Sequence, residues 1–409
     1  MRNVKDAKTG ITAESAKWAL FQAVHLHREE LLSMADFICD NPEVGLKEYK
    51  ACVMLADYLR QNDFSVELGA GGLETAFRAE WKNGEGGPSI GLLCEYDALE
   101  DIGHGCGHHI QGPSILGAAV ALRETISKNI PFTLVVYGTP AEETEGGKII
   151  MLENGCFKDI DVALMMHASS TGTGVDLRTM ALTTLSVKYK GQGAHAAIRP
   201  EQGRSALDAL LIAFHGVECL REHVPDDVRL HYAITDGGMP ANAVPAHAAA
   251  QLIVRSYDRT ELEHVLTRIQ KILDGAALMT ETECEVCRGR DMDNSIPVPE
   301  LNELLMKNAT LAGAPRLALP REKTGSTDFG NICYRIPGAC IRVASDGGVP
   351  VPGHTKEAAA QGKSPENHAA MLYGSKILAA TTYDLITSSE KLMEIKSQFA
   401  EQKSVVEAN

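Results

Sequence analysis

Long apolar runs are missing. Nowhere do about 18 apolar residues follow one another, so the sequence offers nothing to span a bilayer as a helix. Positive charge is also scarce: 39 Lys and Arg stand against 54 Asp and Glu, a formal charge of -15. Such a surface repels phosphate backbones and anionic lipid, which argues against nucleic-acid and membrane-surface partners. Met1 to Gly10 is polar and lacks the apolar core of a secretory signal, so the chain is expected in the cytoplasm. Its ten cysteines are then expected as thiols, because that compartment is reducing. Gly71, Gly72, Gly84, Gly86 and Gly87 lack phosphate-loop spacing, and nucleotide binding is unsupported. No internal repeat is found. What remains is an ordinary globular composition, 44% hydrophobic and 23% charged, over 409 residues, too long for a single small module.

The first part reads as helix up to about Asn62, opened by Thr12 ahead of Ala16, Leu20, Val24, Leu31 and Leu32 at helical spacing. Short runs apolar on both faces follow: Ser89–Cys94, Phe132–Tyr137, Val162–Met166 and Ala339–Ala344. Such strands belong to a buried, mainly parallel sheet flanked by helices. A helix expected over Ser114–Lys128 completes a βαβ unit between the first two. From Leu182 the pattern changes to strand, helix, strand, strand, helix, strand, which is the ferredoxin-like order. The expected fold is therefore an α/β catalytic domain, residues 1–181 and 294–409, with an inserted α+β lid and dimerisation domain over 182–293. A long helix, Glu366 to Thr387, is expected near the C-terminus, and the last dozen residues are expected to fray.

Candidate chemistry sits in four places. Gly103–His109 reads GHGCGHH, where Cys106 and His108, two apart among glycines, can turn toward one ion. Glu142 and Glu143 follow the second strand and can divide labour, one holding a cation and the other moving protons. His167 ends the third strand, and His354 stands in Val351-Pro352-Gly353-His354. Open α/β sheets gather ligands outside the carboxyl ends of their strands, so Cys106, His108, Glu143, His167 and His354 can converge although they span nearly 250 residues. One thiolate, three imidazoles and a carboxylate suit Zn²⁺ or Mn²⁺ better than Mg²⁺ or Ca²⁺, as one ion or two per subunit. Cys284 and Cys287 have no second pair or nearby histidine and read as strand residues.

Taken in order, Glu95-Tyr96-Asp97-Ala98-Leu99, Gly103-His104-Gly105-Cys106-Gly107-His108, Pro140-Ala141-Glu142-Glu143, Met166-His167, Gly193-Ala194-His195, Asn242-Ala243-Val244-Pro245, Ser326-Thr327-Asp328-Phe329-Gly330 and Pro352-Gly353-His354-Thr355 carry a resemblance. From about Asp40 to Leu385 the chain resembles the metal-dependent amidohydrolase and metallopeptidase family of aminoacylases, glutamate carboxypeptidases, auxin-conjugate hydrolases and p-aminobenzoyl-glutamate hydrolases, in its cysteine-ligand branch. The resemblance implies that Cys106, His108, Glu143, His167 and His354 are metal ligands, Glu142 the general base and Asp97 an acidic support of the metal site. It implies further that His195, Asn242 and Arg255 bind substrate from the lid domain, and that the protein is a homodimer through that domain. One departure is His109, where relatives carry an acidic residue or asparagine.

The expected function is hydrolysis of a C–N amide bond in a small carboxylate-bearing molecule such as an N-acyl or aminobenzoyl amino acid or a dipeptide. A cation lowers the pKa of water toward about 7, Glu142 takes the proton, and then delivers it to the departing nitrogen. Three alternatives stand beside this reading. They are deamination of an aromatic amine acid in the manner of 5-nitroanthranilate aminohydrolase, nucleophilic catalysis by Cys106, and a non-catalytic metal-binding protein.

Overall fold

The structure, a computed structural model, describes residues 12–238, 240–345, 347 and 351–408. Its described residues divide into two units, one holding 12–178 and 296–403, the other 179–295 with 404–408. In the first unit the strands are β1 (Ser65–Leu68), β2 (Phe77–Asn83), β3 (Ser89–Cys94), β4 (Phe132–Gly138), β5 (Val162–Ser169), β6 (Gly174–Val175) and, late in the chain, β13 (Gly338–Ala344). They form one sheet in the order β1-β2-β4-β3-β5-β13-β6. The four runs that the sequence makes apolar on both faces are its parallel centre, β4, β3, β5 and β13. Antiparallel strands close both edges.

Helices α1 (Ala13–Leu26), α2 (Arg28–Asp40), α3 (Tyr49–Gln61), α4 (Gln111–Thr125), α5 (Gly147–Glu153), α8 (Pro299–Ala312), α9 (Phe329–Cys333), α10 (Lys356–Ala360), α11 (Pro365–Thr387) and α12 (Ser389–Ala408) surround the sheet. α4 and α11 pack on one another and on the central strands. Their approach requires Gly374: a Cβ there would lie 2.5 Å from both Met166 and Ser114. The Ser375 hydroxyl donates to the Ser114 carbonyl at 2.8 Å across the same seam. On the other side Leu93, Val135, Tyr137 and Met165 pack against Phe157, Phe329 and Ile332. Each such side chain contributes about 1.5–3 kcal/mol by leaving water.

Two expectations need correction. α4 starts three residues before the expected Ser114, because Pro113 needs no N–H partner in a first turn and does not block the helix. Residues 398–408, expected to fray, lie in α12, which extends helix past Thr387 and buries Ile395 and Phe399.

The second unit carries β7 (Ala181–Lys190), β8 (Ala194–His195), α6 (Ala206–Arg221), β9 (Arg229–Asp236), β10 (Ala243–Val244), β11 (His247–Ser256), α7 (Arg259–Thr280) and β12 (Glu283–Arg288). Its main sheet runs β12-β7-β11-β9, antiparallel throughout. Alternate residues of β7, among them Leu185, Val187 and Tyr189, turn inward against Phe214 of α6 and Ile269 and Leu273 of α7. The period of two leaves the other face polar, as a half-covered antiparallel sheet requires. β8 and β10 pair as a small separate ribbon.

Candidate metal centre

β3 delivers the chain directly into Glu95, Tyr96 and Asp97, all buried. The following loop returns through Gly107, held at φ +84° with a hypothetical Cβ only 2.7 Å from Ala168, so that no larger residue fits. His108 comes next. Its Nδ1 lies 3.0 Å from Asp97 Oδ1 and 3.1 Å from the Asp97 carbonyl. Both neighbours are acceptors, so Nδ1 carries a proton and Nε2 is turned to the interior of the site. That Nε2 has no hydrogen bond, although Glu95 Oε2 is 3.3 Å away. Burial disfavours charge on the ring, yet Cys106, Glu95 and Asp97 raise its pKa well above the ordinary range, so a cation must compete with a proton there. Asp97 uses its second oxygen to accept from the Glu143 backbone N–H at 2.9 Å.

The remaining predicted ligands close around this ring. Cys106 Sγ is 3.6 Å from His167 Nε2, and His167 Nδ1 donates to the Ala168 carbonyl at 2.7 Å. Burial first, then Arg342, holds the His167 pKa down at about 3, leaving a neutral imidazole. β5 continues two residues past His167, so this ring stands on the strand itself rather than beyond its end. His354 is exposed, with Nε2 3.5 Å from Glu143 Oε1. Its backbone sits in the left-handed region at φ +62°, a strain of about 1–2 kcal/mol for a residue with a Cβ. Among the described residues, four sets of possible donor atoms lie within 4.8 Å of one another: Cys106, His108 and His167; Cys106, Glu143 and His354; His108, Glu142 and Glu143; and the acidic set Glu95, Glu142 and Asp328.

Glu143 Oε1 is buried without a hydrogen bond, as is His108 Nε2. Orphaned buried atoms are rare in folded proteins. Two of them facing a thiol and two further imidazoles suit a divalent cation that accepts nitrogen and sulfur. The residues present therefore fit such an ion.

Glu142 occupies a different setting. Burial, then the charges of Glu95 and Asp328, push its carboxyl well above the usual range. The turn that presents it puts Ala141 at φ +60°. This strained residue is held by Glu48, whose carboxylate accepts the Ala141 N–H at 2.8 Å and the Thr75 hydroxyl at 2.8 Å. Beside Glu142 lies a buried charge cluster. Lys148 Nζ contacts Glu95 Oε1 at 2.6 Å and Asp328 Oδ1 at 2.8 Å, and Gln111 donates to the other Glu95 oxygen at 2.7 Å. Burial raises the Glu95 pKa, but Lys148 and then His108 more than reverse this, and it is held low.

The roles of Glu48, Glu95, Lys148 and Asp328 were not legible in the sequence. Lys148 in Gly147–Glu153 looks like a helix-surface lysine; the one available signal is its place next to Ile149 and Ile150 in an otherwise apolar turn. His109 is buried, donates from Nε2 to the Gly362 carbonyl at 2.8 Å, and has its pKa pushed down to about 4 by burial. The histidines of this loop, His104, His108 and His109, are all buried. In the second unit His195 and Asn242 are neighbours: His195 pairs with Ala243, and the Asn242 carbonyl accepts from Ala196 at 3.0 Å. Arg255 lies on β11, between Leu182 and Arg229.

The model of peptidase family M20/M25/M40 matches residues 90–380. The chain belongs to this family. It is a hydrolase of amide or peptide bonds. One subunit of p-aminobenzoyl-glutamate hydrolase from Escherichia coli (strain K12) is 31% identical over 92% of this chain and 93% of its own length. Xaa-Arg dipeptidase from Homo sapiens is 32% identical over 91% of this chain and 89% of its own. Among solved structures, the YXEP protein of Bacillus subtilis, described as a dinuclear metal binding peptidase of the M20 family, superposes with a TM-score of 0.68 at 18% identity. That match covers 88% of this chain and 99% of the other.

Proposed function

We propose that the protein is a metal-dependent amidohydrolase that cleaves the C–N bond of a small carboxylate-bearing substrate, an N-acyl or aminobenzoyl amino acid or a dipeptide. The observation that carries this is the meeting of five donors, two with orphaned buried atoms, beside a sixth side chain, Glu142, whose proton affinity is raised. The names of the relatives support the substrate class. In this reading Cys106, His108, Glu143, His167 and His354 hold Zn²⁺ or Mn²⁺, and Asp97 fixes His108. Two ions are favoured, because Cys106 belongs to two donor sets and the YXEP protein is described as dinuclear. A bound cation supplies Lewis acidity at the substrate carbonyl and acidifies neighbouring water.

The chain's own residues do the rest. Glu142 removes a proton from the attacking water and returns it to the leaving nitrogen; a carboxyl raised toward working pH suits both transfers. Lys148, by neutralising Glu95 and Asp328, keeps Glu142 from being one uncompensated acid among three. His195, Asn242 and Arg255 contact the substrate from an inserted lid, residues 182–293, which also pairs two subunits into a homodimer in the cytoplasm. Thiol catalysis is disfavoured, since burial pushes Cys106 up to about 11 and leaves it protonated.

Glu142→Gln tests the assignment. Turnover of N-acyl amino acids should fall at least about a hundredfold, while metal content by mass spectrometry stays unchanged. Turnover near that of the unsubstituted protein would overturn the role of Glu142. Ammonia released from amino-substituted aromatic acids, with no amide cleaved, would move the reading to deamination.

A further inference from the structure

The parallel ladder of β5 and β13 pairs His167 with Arg342. Cross-strand neighbours of this kind share a face about 4.8 Å apart, so a guanidinium rises next to a candidate ligand. Arg342 Nε donates to Asp176 Oδ2 at 2.9 Å and Arg321 Nε to Oδ1 of the same residue at 2.5 Å. One carboxylate thus orients two arginines, with a net charge of +1 left over. Among the described residues no acceptor bonds the terminal nitrogens of either.

Both arginines line a cleft of about 240 Å³, together with Cys106, His167, His354 and Ser169. Among the described residues its walls hold no Asp or Glu. The cleft therefore joins candidate donors to a guanidinium charge that no carboxylate in its described walls answers.

Direction decides what enters. If Glu142, which follows β4, serves both the attacking water and the leaving nitrogen, the acyl chain must point away from it. In the order β4-β3-β5-β13 that is toward Arg342. We propose that this cleft binds an anionic group at the end of the acyl chain, so that the preferred substrates are half-amides of short dicarboxylic acids. Arg342 is the principal reader, because a guanidinium grips a carboxylate with two parallel N–H bonds. Arg321 and Ser169 assist it. The cleft admits a short acid and not a lipid chain. The direction of the acyl chain rests on the amidohydrolase reading above, whereas the anion site itself does not.

The test compares N-succinyl with N-butanoyl conjugates of alanine, glutamate and arginine, using the Mn²⁺-loaded protein. The succinyl series should be preferred at least tenfold in kcat/KM, and Arg342→Gln should erase that ratio. Calorimetry with free succinate and with neutral succinamide gives a second readout. Succinate alone should bind, and binding should be lost in Arg342→Gln combined with Asp176→Asn, a pair that keeps the buried charges balanced. Equal use of both acyl series without succinate binding overturns the anion site and leaves amide hydrolysis standing. A preference that survives Arg342→Gln overturns it as well. Arg342-dependent succinate binding without cleavage of any amide would keep the site and remove the proposed function.

Discussion

The cluster of Lys148, Glu95 and Asp328 and the donor set around Cys106 share the carboxyl end of one sheet, yet their polar atoms are satisfied in opposite ways. In the first, one ammonium sits between two carboxylates at 2.6 and 2.8 Å, and Gln111 holds a further oxygen. In the second, buried nitrogen and oxygen atoms face each other without hydrogen bonds. Buried polar side chains thus serve two purposes. A closed set of charges fixes the backbone ends of β3 and the segment before α9, whereas an open set keeps lone pairs for something the chain does not itself provide.

The largest expected effect comes from opening the closed set. Lys148→Met leaves Glu95 and Asp328 buried without a counter-charge and should cost about 3–5 kcal/mol in urea unfolding of the metal-free protein. A loss below about 1 kcal/mol would erase the contrast drawn above. The next effect is on pH. Burial raises the Glu48 carboxyl from 4.5 to about 7, so the folded chain keeps a proton that the unfolded chain has released. Stability from this source is complete below pH 4.5 and is lost as pH rises through 7, about 3 kcal/mol in all. Glu48→Gln should flatten that decline between pH 4.5 and 8; an unchanged slope would place it elsewhere. The smallest effect falls on the support of the open set. Asp97→Asn weakens the hold on both His108 and the Glu143 backbone and should lower metal affinity about 10–100-fold by competition with a chelator. Unaltered affinity would detach Asp97 from the donor set.

The parallel strands were legible because Ser89–Cys94 and Phe132–Gly138 are apolar on both faces, a signal that survives without context. β2 was not, since Phe77–Asn83 alternates charge and hydrophobe and lacks the continuous apolar run of the central strands, and the edge strands β1 and β6 are too short to show a period. The donors around Cys106 were legible as residue types with a shared destination. Lys148 and Glu48 were not, because their function is created by burial, which a single sequence does not display. Arg342 stood in plain view inside Ala339–Ala344, a charge in a strand otherwise read as core, and its partner Asp176 lies 166 residues earlier.

The donor set also has a consequence in time. Cys106 and His354 are separated by nearly the whole of the chain's middle, and the strand that leads toward His354, β13, is the last to be synthesised. A nascent chain stalled on the ribosome before that point has four donors and no fifth, and lacks the strand that flanks His167. If the five candidate donors hold a cation together, full capture has to wait until His354 has been made.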